Sequence, residues 1–342
     1  MRMSCCVEYK YNYVIFNSPD NKLRVDNDGY YTICTKDLEN LEQARVVSYP
    51  LDKHLYWIRL LFALHTSEKI SKHIKLPFQN LWYPLYFENN FSVQLPICFI
   101  IISRSLPLGY LHYLKKKYPN CKIVHIHRDF LSVGQRMRPD LHFNPIFDLE
   151  MTYDEAESKE YNIPHFDEFE SAIEITREKE FESDVFFAGK AKDRLPLLSR
   201  AYNQLTKAGL KVFFYLTQVP KKERTELPGI VYSDTFMSYR EMLYHSVNTR
   251  CMLEITQNNQ QGYTSRFLEA VIYGKKLITS CNYVQKSKFY DRNKIQVLED
   301  MNNINIDFIT EGNGFVDYGY HGEFSPLNMV ERVEEELNKL FS

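Results

Sequence analysis

Short apolar runs alternate with segments of helical periodicity along the whole chain. In the first half, the apolar runs at residues 11–17, 96–103 and 121–126 predict buried strands, and residues 108–117 between them predict a helix. A second alternation begins at residue 184. Strands that alternate with helices are typical of parallel sheets built from β-α-β units. The pattern therefore predicts an α/β protein with two similar halves.

A charge-rich segment separates the two halves. Residues 166–183 follow Pro164 and carry many acidic and basic side chains, which is typical of a connection between domains. We therefore predict one domain over residues 1–170 and a second over residues 171–327. Residues 328–342 have the periodicity of an amphipathic helix.

The second half contains one stretch, residues 257–279, that reads QNNQQGYTSRFLEAVIYGKKLIT. It follows an apolar run and predicts a polar loop, a helix that stops at Gly274, and a further strand. In an open parallel sheet such a loop lies at the carboxyl end of a strand, where ligands bind. We expect the functional site of the second domain here.

The predicted helix start has the residues of an anion site. Gly262 permits close backbone approach, Thr264 or Ser265 can cap the helix, and the first turn has N–H groups without partners. Arg266 adds a planar set of donors for phosphate oxygens, and Glu269 has two oxygens suited to a ribose diol. The same residues also fit an ordinary cap with a surface ion pair one helical turn apart.

The motif QGYTSRFLEA…GKKLIT resembles the C-domain signature of bacterial capsular and O-antigen polysaccharide glycosyltransferases of the GT-B fold. The resemblance covers about residues 184–298. It implies two Rossmann-like, doubly wound domains that face each other across a cleft, with the terminal helix packed back on the first domain. In retaining members, a glutamate that contacts the donor sugar precedes a ribose-binding glutamate by eight positions. Glu269 matches the second, whereas Gln261 departs from the first.

The resemblance implies a metal-independent hexosyltransferase that uses no cofactor. Its partners would be a nucleotide sugar, with UDP or GDP as the nucleotide, and a lipid-linked or oligosaccharide acceptor. The enzyme would work in the cytoplasm, at the inner face of the membrane with peripheral contact. The predicted nucleotide-binding residues lie in two loops: Lys190, Lys192 and Arg194 in the first, and Gly262, Tyr263, Thr264, Ser265, Arg266 and Glu269 in the second.

The catalytic base is not fixed by the sequence. An inverting enzyme needs a carboxylate or histidine to take the proton of the acceptor hydroxyl. The candidates follow predicted strands of the first domain: Asp20, His127, Asp129 and Asp154. His127 with Asp129 is the best pair. A retaining enzyme needs no such base, and Gln261 would then lie near the sugar.

Composition excludes several other classes. The net charge of −2 disfavours nucleic-acid binding, and seven cysteines without a CxxC pair favour a reducing compartment and no structural zinc. The N-terminus predicts no signal peptide. Asp26 and Asp28 form a DxD triplet before Gly29, which we interpret as a turn. His125 and His127 share a strand face without an evident carboxylate partner, so we predict no metal site.

Two other functions fit the resemblance. The chain would be an epimerase of UDP-sugars with a GT-B-like fold, although no recognisable set of catalytic carboxylates supports this. Alternatively it would be a non-catalytic subunit that supports an active transferase, which Gln261 in place of glutamate favours. Turnover of a nucleotide sugar without acceptor would identify the epimerase. Donor binding without turnover would identify the subunit.

Overall fold

Every pairing between strands is parallel, and the strands form two sheets, so the predicted α/β class with two doubly wound halves is confirmed. The computed structural model describes residues 9–17, 27–48, 51, 54–65, 77–102, 106–256, 261–300 and 302–341. The chain forms two units. Unit 1 comprises Met1–Phe166 and Ser325–Ser342, and unit 2 comprises Asp167–Phe324.

Unit 1 contains a five-stranded sheet in the order β2-β1-β3-β4-β5. All side chains of β1 and β3 are buried, as expected for central strands covered on both faces. The strands are β1 Asn12–Phe16, β2 Ala44–Val47, β3 Ile97–Ile101, β4 Lys122–His127 and β5 Leu149–Thr152. The helices are α1 Tyr30–Cys34, α2 Tyr56–His65, α3 Leu108–Lys117, α4 Leu131–Met137 and α5 Glu155–Tyr161, with 3-10 segments at Lys36–Asn40 and Gln79–Leu85.

Helix α2 forms part of a longer predicted helix. The periodicity predicts a helix over residues 54–73 with one apolar side. Among the described residues the helix spans Tyr56–His65 and buries only Phe62, and residues 66–73 lie outside them. Leu55 before it and Leu61 within it are 74% and 60% exposed. The apolar side chains do lie on one side of the helix, but most of that side is exposed.

Unit 2 contains a six-stranded sheet in the order β11-β10-β9-β6-β7-β8. Successive strands β6, β7 and β8 extend to one side, and β9, β10 and β11 to the other, so the direction of winding reverses between β6 and β9. The strands are β6 Ser183–Lys190, β7 Val212–Thr217, β8 Ile230–Ser233, β9 Thr249–Glu254, β10 Lys276–Thr279 and β11 Ile295–Val297. The helices are α6 Leu195–Lys207, α7 Tyr239–Val247, α8 Ser265–Tyr273 and α9 Ile306–Thr310, with 3-10 segments at Lys192–Arg194, Lys221–Glu223 and Asn282–Lys286.

The segment predicted to connect the domains lies almost wholly in unit 2. It runs along that unit, and the amide of Glu170 donates to the carbonyl oxygen of Phe324 at 2.7 Å. The last helix, α10 Pro326–Phe341, belongs to unit 1. There the hydroxyl of Tyr13 on β1 donates to Glu334 at 2.8 Å.

Helix length and hydropathy rule out a membrane-spanning helix in the described part of the chain.

Candidate functional site

Two loops of unit 2 meet where the winding of its sheet reverses. The first follows β6 and the second follows β9, and both leave the sheet at its carboxyl edge. In open α/β sheets the crevice at this edge, at the point of reversal, is the usual ligand site. The sequence places the first loop at residues 189–194, but β6 continues to Lys190 and a 3-10 segment, Lys192–Arg194, follows. The observed loop therefore begins at Ala191, two residues later than predicted.

Arg194 fastens the two loops together. Its Nη1 donates to the carbonyl oxygen of Ile255 at 2.6 Å, just beyond β9, and its Nη2 donates to the carbonyl oxygen of Lys190 at the end of β6. Burial lowers the pKa of this guanidinium, with Asp193 and Glu254 acting in the opposite direction. Two of its N–H groups are thus committed to backbone, so Arg194 braces the two loops, and its predicted contact with a phosphate stays a prediction.

The two lysines of the first loop are placed differently. The ammonium of Lys190 lies 5.3 Å from the ring centroid of Phe236, at the sheet edge, and the residue is half-buried. This cation–π contact leaves its charge at the rim of the crevice. The side chain of Lys192 lies outside the described set.

Helix α8 begins with the predicted cap. Thr264 is extended at the N-cap position, and its Oγ1 accepts from the amide of Phe267 at 3.2 Å. The helix ends at Gly274, which has φ +65°. A Cβ there would lie 2.6 Å from the carbonyl oxygen of Val316, so glycine is required at this position. Both predicted ends of the helix are therefore observed.

Glu254 links the end of β9 to β10 and to the start of α8, and it is not among the site residues predicted from the sequence. It lies buried at the end of β9, where it accepts from the hydroxyl of Thr264 and, at 2.6 Å, from that of Thr279 on β10. Burial raises its pKa, although both hydroxyls and the nearby cations Arg266 and Arg194 lower it. The signal was present in the sequence as one carboxylate within the apolar run Cys251 to Ile255.

Arg266 and Glu269 form an ion pair one helical turn apart. Nη1 of Arg266 donates to Glu269, and Nη2 contacts the sulfur of Met242 on α7. The side chain of Arg266 remains 22% exposed. No further hydrogen-bond partner of this guanidinium lies among the described residues.

Glu269 is fully buried, and both of its oxygens have donors. One accepts from Arg266 and the other from the hydroxyl of Tyr239 at 2.7 Å. Burial raises the pKa of Glu269 to about 7, against the lowering effect of Arg266 and Tyr239. The predicted ribose contact would require one of these donors to move away, and it stays a prediction.

The remaining predicted residues of the second loop surround the helix start. Gln261 is exposed, Gly262 is buried, and Ser265 is the first residue of α8. The ring of Tyr263 packs 4.9 Å from that of Phe267 and 5.1 Å from that of Tyr283. Tyr263 thus anchors the loop to the core of unit 2.

In unit 1 the best candidates for the base, His127 and Asp129, lie at and just beyond the end of β4, and their catalytic role stays a prediction. His127 is the last residue of β4 and is buried, and its Nε2 lies 2.8 Å from Oε2 of Glu150 on β5. Asp129 is exposed two residues beyond the strand. The register of the sheet pairs His125 with Glu150, which brings this carboxylate beside His127.

Glu150 also corrects our expectation that His125 and His127 lack a carboxylate partner. Nδ1 of His125 lies 3.4 Å from the same Oε2 of Glu150. Burial opposes ionisation of Glu150, but the hydrogen bonds and charges of the two histidines lower its pKa overall. A His-His-Glu cluster therefore lies across β4 and β5.

The other candidates for the base are placed as follows. Asp154 is buried as the N-cap of α5 and accepts from the amides of Ala156 and Glu157 at 3.0 and 3.1 Å. These bonds make Asp154 the cap of α5. Asp20 lies outside the described residues, as does Asp26 of the DxD triplet, while Asn27 and Asp28 form a turn.

No protein-family model matches the chain, and no characterised protein matches its sequence. Among solved structures it is similar to a point mutant of S. aureus TarM in complex with UDP, with 13% identity, a TM-score of 0.44 and 72% of this chain covered. An α-glucosyltransferase in complex with UDP and a 13-mer DNA shares 11% identity over 96% of this chain and 91% of its own, with a TM-score of 0.43. A proposed UDP-N-acetylglucosamine 2-epimerase from Listeria monocytogenes shares 8% identity over 97% of both chains, with a TM-score of 0.49.

The chain spans 55% of the TarM chain's length. All three TM-scores lie below 0.5, so function is inferred from the residues of this chain alone.

Proposed function

We propose that this protein is a glycosyltransferase that takes a sugar from a nucleotide-diphosphate donor. The nucleotide would bind in unit 2, at the carboxyl edge of β6 and β9. The observation that carries this proposal is the position of helix α8, whose capped N-terminus and Arg266 lie at the point where the winding of the sheet reverses. Helix N-termini at such points bind phosphate groups through backbone N–H donors and the helix dipole.

The chemistry of sugar transfer suits this arrangement. Breaking the bond to the nucleotide builds negative charge on the diphosphate oxygen that leaves. Donors fixed near that oxygen stabilise the transition state more than the substrate, and this lowers the barrier. The first turn of α8 and the guanidinium of Arg266 would supply this stabilisation, and Lys190 would add charge at the end of β6.

The ion pair between Arg266 and Glu269 sets how the donor would be held. A diphosphate competes with Glu269 for the guanidinium, and a ribose diol would then compete for the carboxylate released. Glu254 and Arg194 would keep the two loops in place while these exchanges occur. Glu269 would hold the ribose, and the side chains of Thr264 and Ser265 would flank the phosphates.

For the acceptor we propose a lipid-linked or oligosaccharide precursor of a surface polysaccharide, bound by unit 1 at the cytoplasmic face of the membrane. Helix α2 supports membrane contact, because Trp57 and Leu61 are 72% and 60% exposed. His127, oriented by Glu150, would be the base in an inverting reaction. A retaining reaction would instead use Gln261 near the sugar.

One observation favours a second candidate, a non-catalytic partner of another transferase. Gln261 is exposed and carries no charge at the position where the resemblance places a glutamate. Such a subunit would bind the donor without transferring the sugar. A UDP-sugar epimerase stays a third candidate. It would differ from both others by converting a nucleotide sugar without any acceptor.

The test is a donor panel of UDP-, GDP-, CMP- and dTDP-sugars incubated with the full chain. Thermal stability reports binding, and release of the nucleotide with and without added oligosaccharide acceptors reports turnover. We expect one nucleotide class to raise the melting temperature, Arg266→Ala to abolish most of that rise, and the exposed Arg200→Ala to keep it. If no nucleotide stabilises the chain, or if Arg266→Ala binds as well as wild type, the proposal is wrong.

A further inference from the structure

The His-His-Glu cluster of unit 1 has the composition of a transition-metal site. Within the described part of the chain it is the one group of three or more His, Cys, Asp or Glu side chains whose ligand atoms lie within 4.8 Å of one another. Two imidazoles and one carboxylate are a common ligand set of zinc enzymes and of non-haem iron proteins. This cluster lies in unit 1, and the nucleotide proposal does not depend on it. An ion on His127 would exclude this residue as the acceptor base and leave that role to Asp129.

The sheet register creates this arrangement. His125 and His127 are two residues apart on β4, so their side chains point to the same face. Glu150 lies opposite His125 on β5 and projects to that face as well. Since each residue is held by a ladder of backbone hydrogen bonds, the ligand atoms are positioned by rigid elements rather than by loops.

The distances fit a metal ion. Oε2 of Glu150 lies 2.8 Å from Nε2 of His127 and 3.4 Å from Nδ1 of His125. Ligands bound to tetrahedral zinc at roughly 2.1 Å are separated by about 3.4 Å from one another. An ion of this size would enter with only small rotations of the three side chains. Their exposures of 8%, 6% and 9% also shield the cluster from bulk water.

Three side chains leave one position of a tetrahedral ion to water. The ring of His125 also stacks on Phe147 at 4.6 Å, which fixes its orientation.

We propose that His125, His127 and Glu150 bind one divalent first-row transition-metal ion, with Zn²⁺ as the preferred ion. The ion would tie the carboxyl half of β4 to the start of β5. Imidazole nitrogen selects for zinc and its neighbours over Mg²⁺ and Ca²⁺, which prefer all-oxygen sites. The competing explanation is a simple hydrogen-bonded cluster in which Glu150 accepts from the histidines and no metal binds.

The experiment uses the full chain without an affinity tag, stripped with a chelator and then dialysed. Zn²⁺ binding is measured by calorimetry and by metal analysis after gel filtration, and Co²⁺ serves as a spectroscopic probe of geometry. We expect one equivalent of Zn²⁺ per chain, a higher melting temperature on its addition, and visible Co²⁺ absorption of a four-coordinate nitrogen and oxygen site.

Glu150→Gln and His127→Gln should each weaken Co²⁺ affinity by more than about 100-fold, because loss of a direct ligand costs more than loss of a supporting contact. His112→Gln, an exposed histidine on α3, is the matched control and should bind like wild type. Glutamine has nearly the size of glutamate, so we expect Glu150→Gln to fold. Circular dichroism checks the folding of both variants. The proposal is wrong if the stripped chain binds no metal, or if folded Glu150→Gln still binds one equivalent of metal. It is also wrong if Co²⁺ shows thiolate charge-transfer absorption, which would place the ion on cysteines.

Discussion

The guanidinium of Arg194 donates a 2.6 Å hydrogen bond to the carbonyl oxygen of Ile255, across the point where the winding of the second sheet reverses. Its other Nη donates to the carbonyl oxygen of Lys190, so one side chain joins the ends of β6 and β9. These ends carry the two loops assigned to the nucleotide. Arg194 is therefore a positioning residue in this account.

Replacement of Arg194 tests that role. Arg194→Ala leaves two carbonyl oxygens without this donor, and we expect a loss of about 2–3 kcal/mol in the free energy of unfolding. Urea unfolding measures it. Arg200→Ala, an exposed arginine on α6, should change stability by less than about 0.5 kcal/mol. Equal effects of the two substitutions would show that the hydrogen bonds of Arg194 contribute nothing to the free energy of unfolding.

Thr264 has two partners, and the second makes it more than a helix cap. Thr264→Ala removes the acceptor for the amide of Phe267, worth about 1 kcal/mol, and also a donor to the buried Glu254. We expect a total loss of about 2–3 kcal/mol by urea unfolding. Thr264→Ser keeps the hydroxyl and should recover most of it. A serine variant as unstable as the alanine variant would mean that the methyl group, not the hydroxyl, matters.

Glu269 should make stability depend on pH. Burial raises its pKa in the folded protein to about 7, above its ordinary value of 4.5. The folded state then binds the proton more tightly, so its stabilising contribution is complete below about pH 4.5 and is lost as pH rises through about 7. Since one pKa unit is worth about 1.4 kcal/mol, the free energy of unfolding should fall by on the order of 3 kcal/mol over this window.

Glu269→Gln should flatten that part of the pH profile, because its amide does not titrate. Urea unfolding at several pH values between about 5 and 8 compares it with wild type and with Glu241→Gln, an exposed carboxyl on α7. If Glu269→Gln keeps the wild-type slope, Glu269 is ionised throughout this range and the raised pKa is wrong.

Lys275 is fully buried, with its ammonium 4.0 Å from the ring centroid of Phe315 and 4.5 Å from that of Phe181. It has no hydrogen-bond partner within the described part of the chain, and burial lowers its pKa to about 7. A depressed lysine pKa costs stability as pH falls from about 10.5 to about 7. The cation–π contacts, worth about 2 kcal/mol when desolvated, offset only part of this cost.

Lys275→Met keeps the length of the side chain and removes the charge. We expect it to raise the free energy of unfolding by about 2–4 kcal/mol near pH 7 and by less as the pH approaches about 10. Lys207→Met, an exposed lysine, should show neither the gain nor its pH dependence. A destabilised Lys275→Met would mean that the aromatic contacts outweigh the cost of burying the charge.

Regular elements could be predicted from the sequence because periodicity reports burial directly. Helix α8 shows this best, since its cap Thr264 and its stop at Gly274 are both local signals. Strand β8 was missed because Ile230–Ser233 is short and half-exposed at a sheet edge, so its pattern is weak. The apolar side of α2 is visible in the sequence, but periodicity does not distinguish a core position from an exposed one, and Leu61 is exposed.

The site was less predictable because its contacts join residues far apart in the chain. Arg194 and Ile255 are 61 positions apart, and Tyr239 reaches Glu269 across 30. Glu150 reaches His127 from 23 positions further along the chain. Such pairs depend on strand order and register, which one sequence without homologues does not determine.

The central claim is that a nucleotide diphosphate binds at the start of α8, and hydrogen–deuterium exchange with and without the nucleotide tests it most directly. With the stabilising nucleotide of the donor panel at saturation, we predict slower amide exchange in residues 264–268 and 190–195, with the protection lost in Arg266→Ala. Protection confined to unit 1, or to parts of unit 2 away from these two loops, would contradict the account.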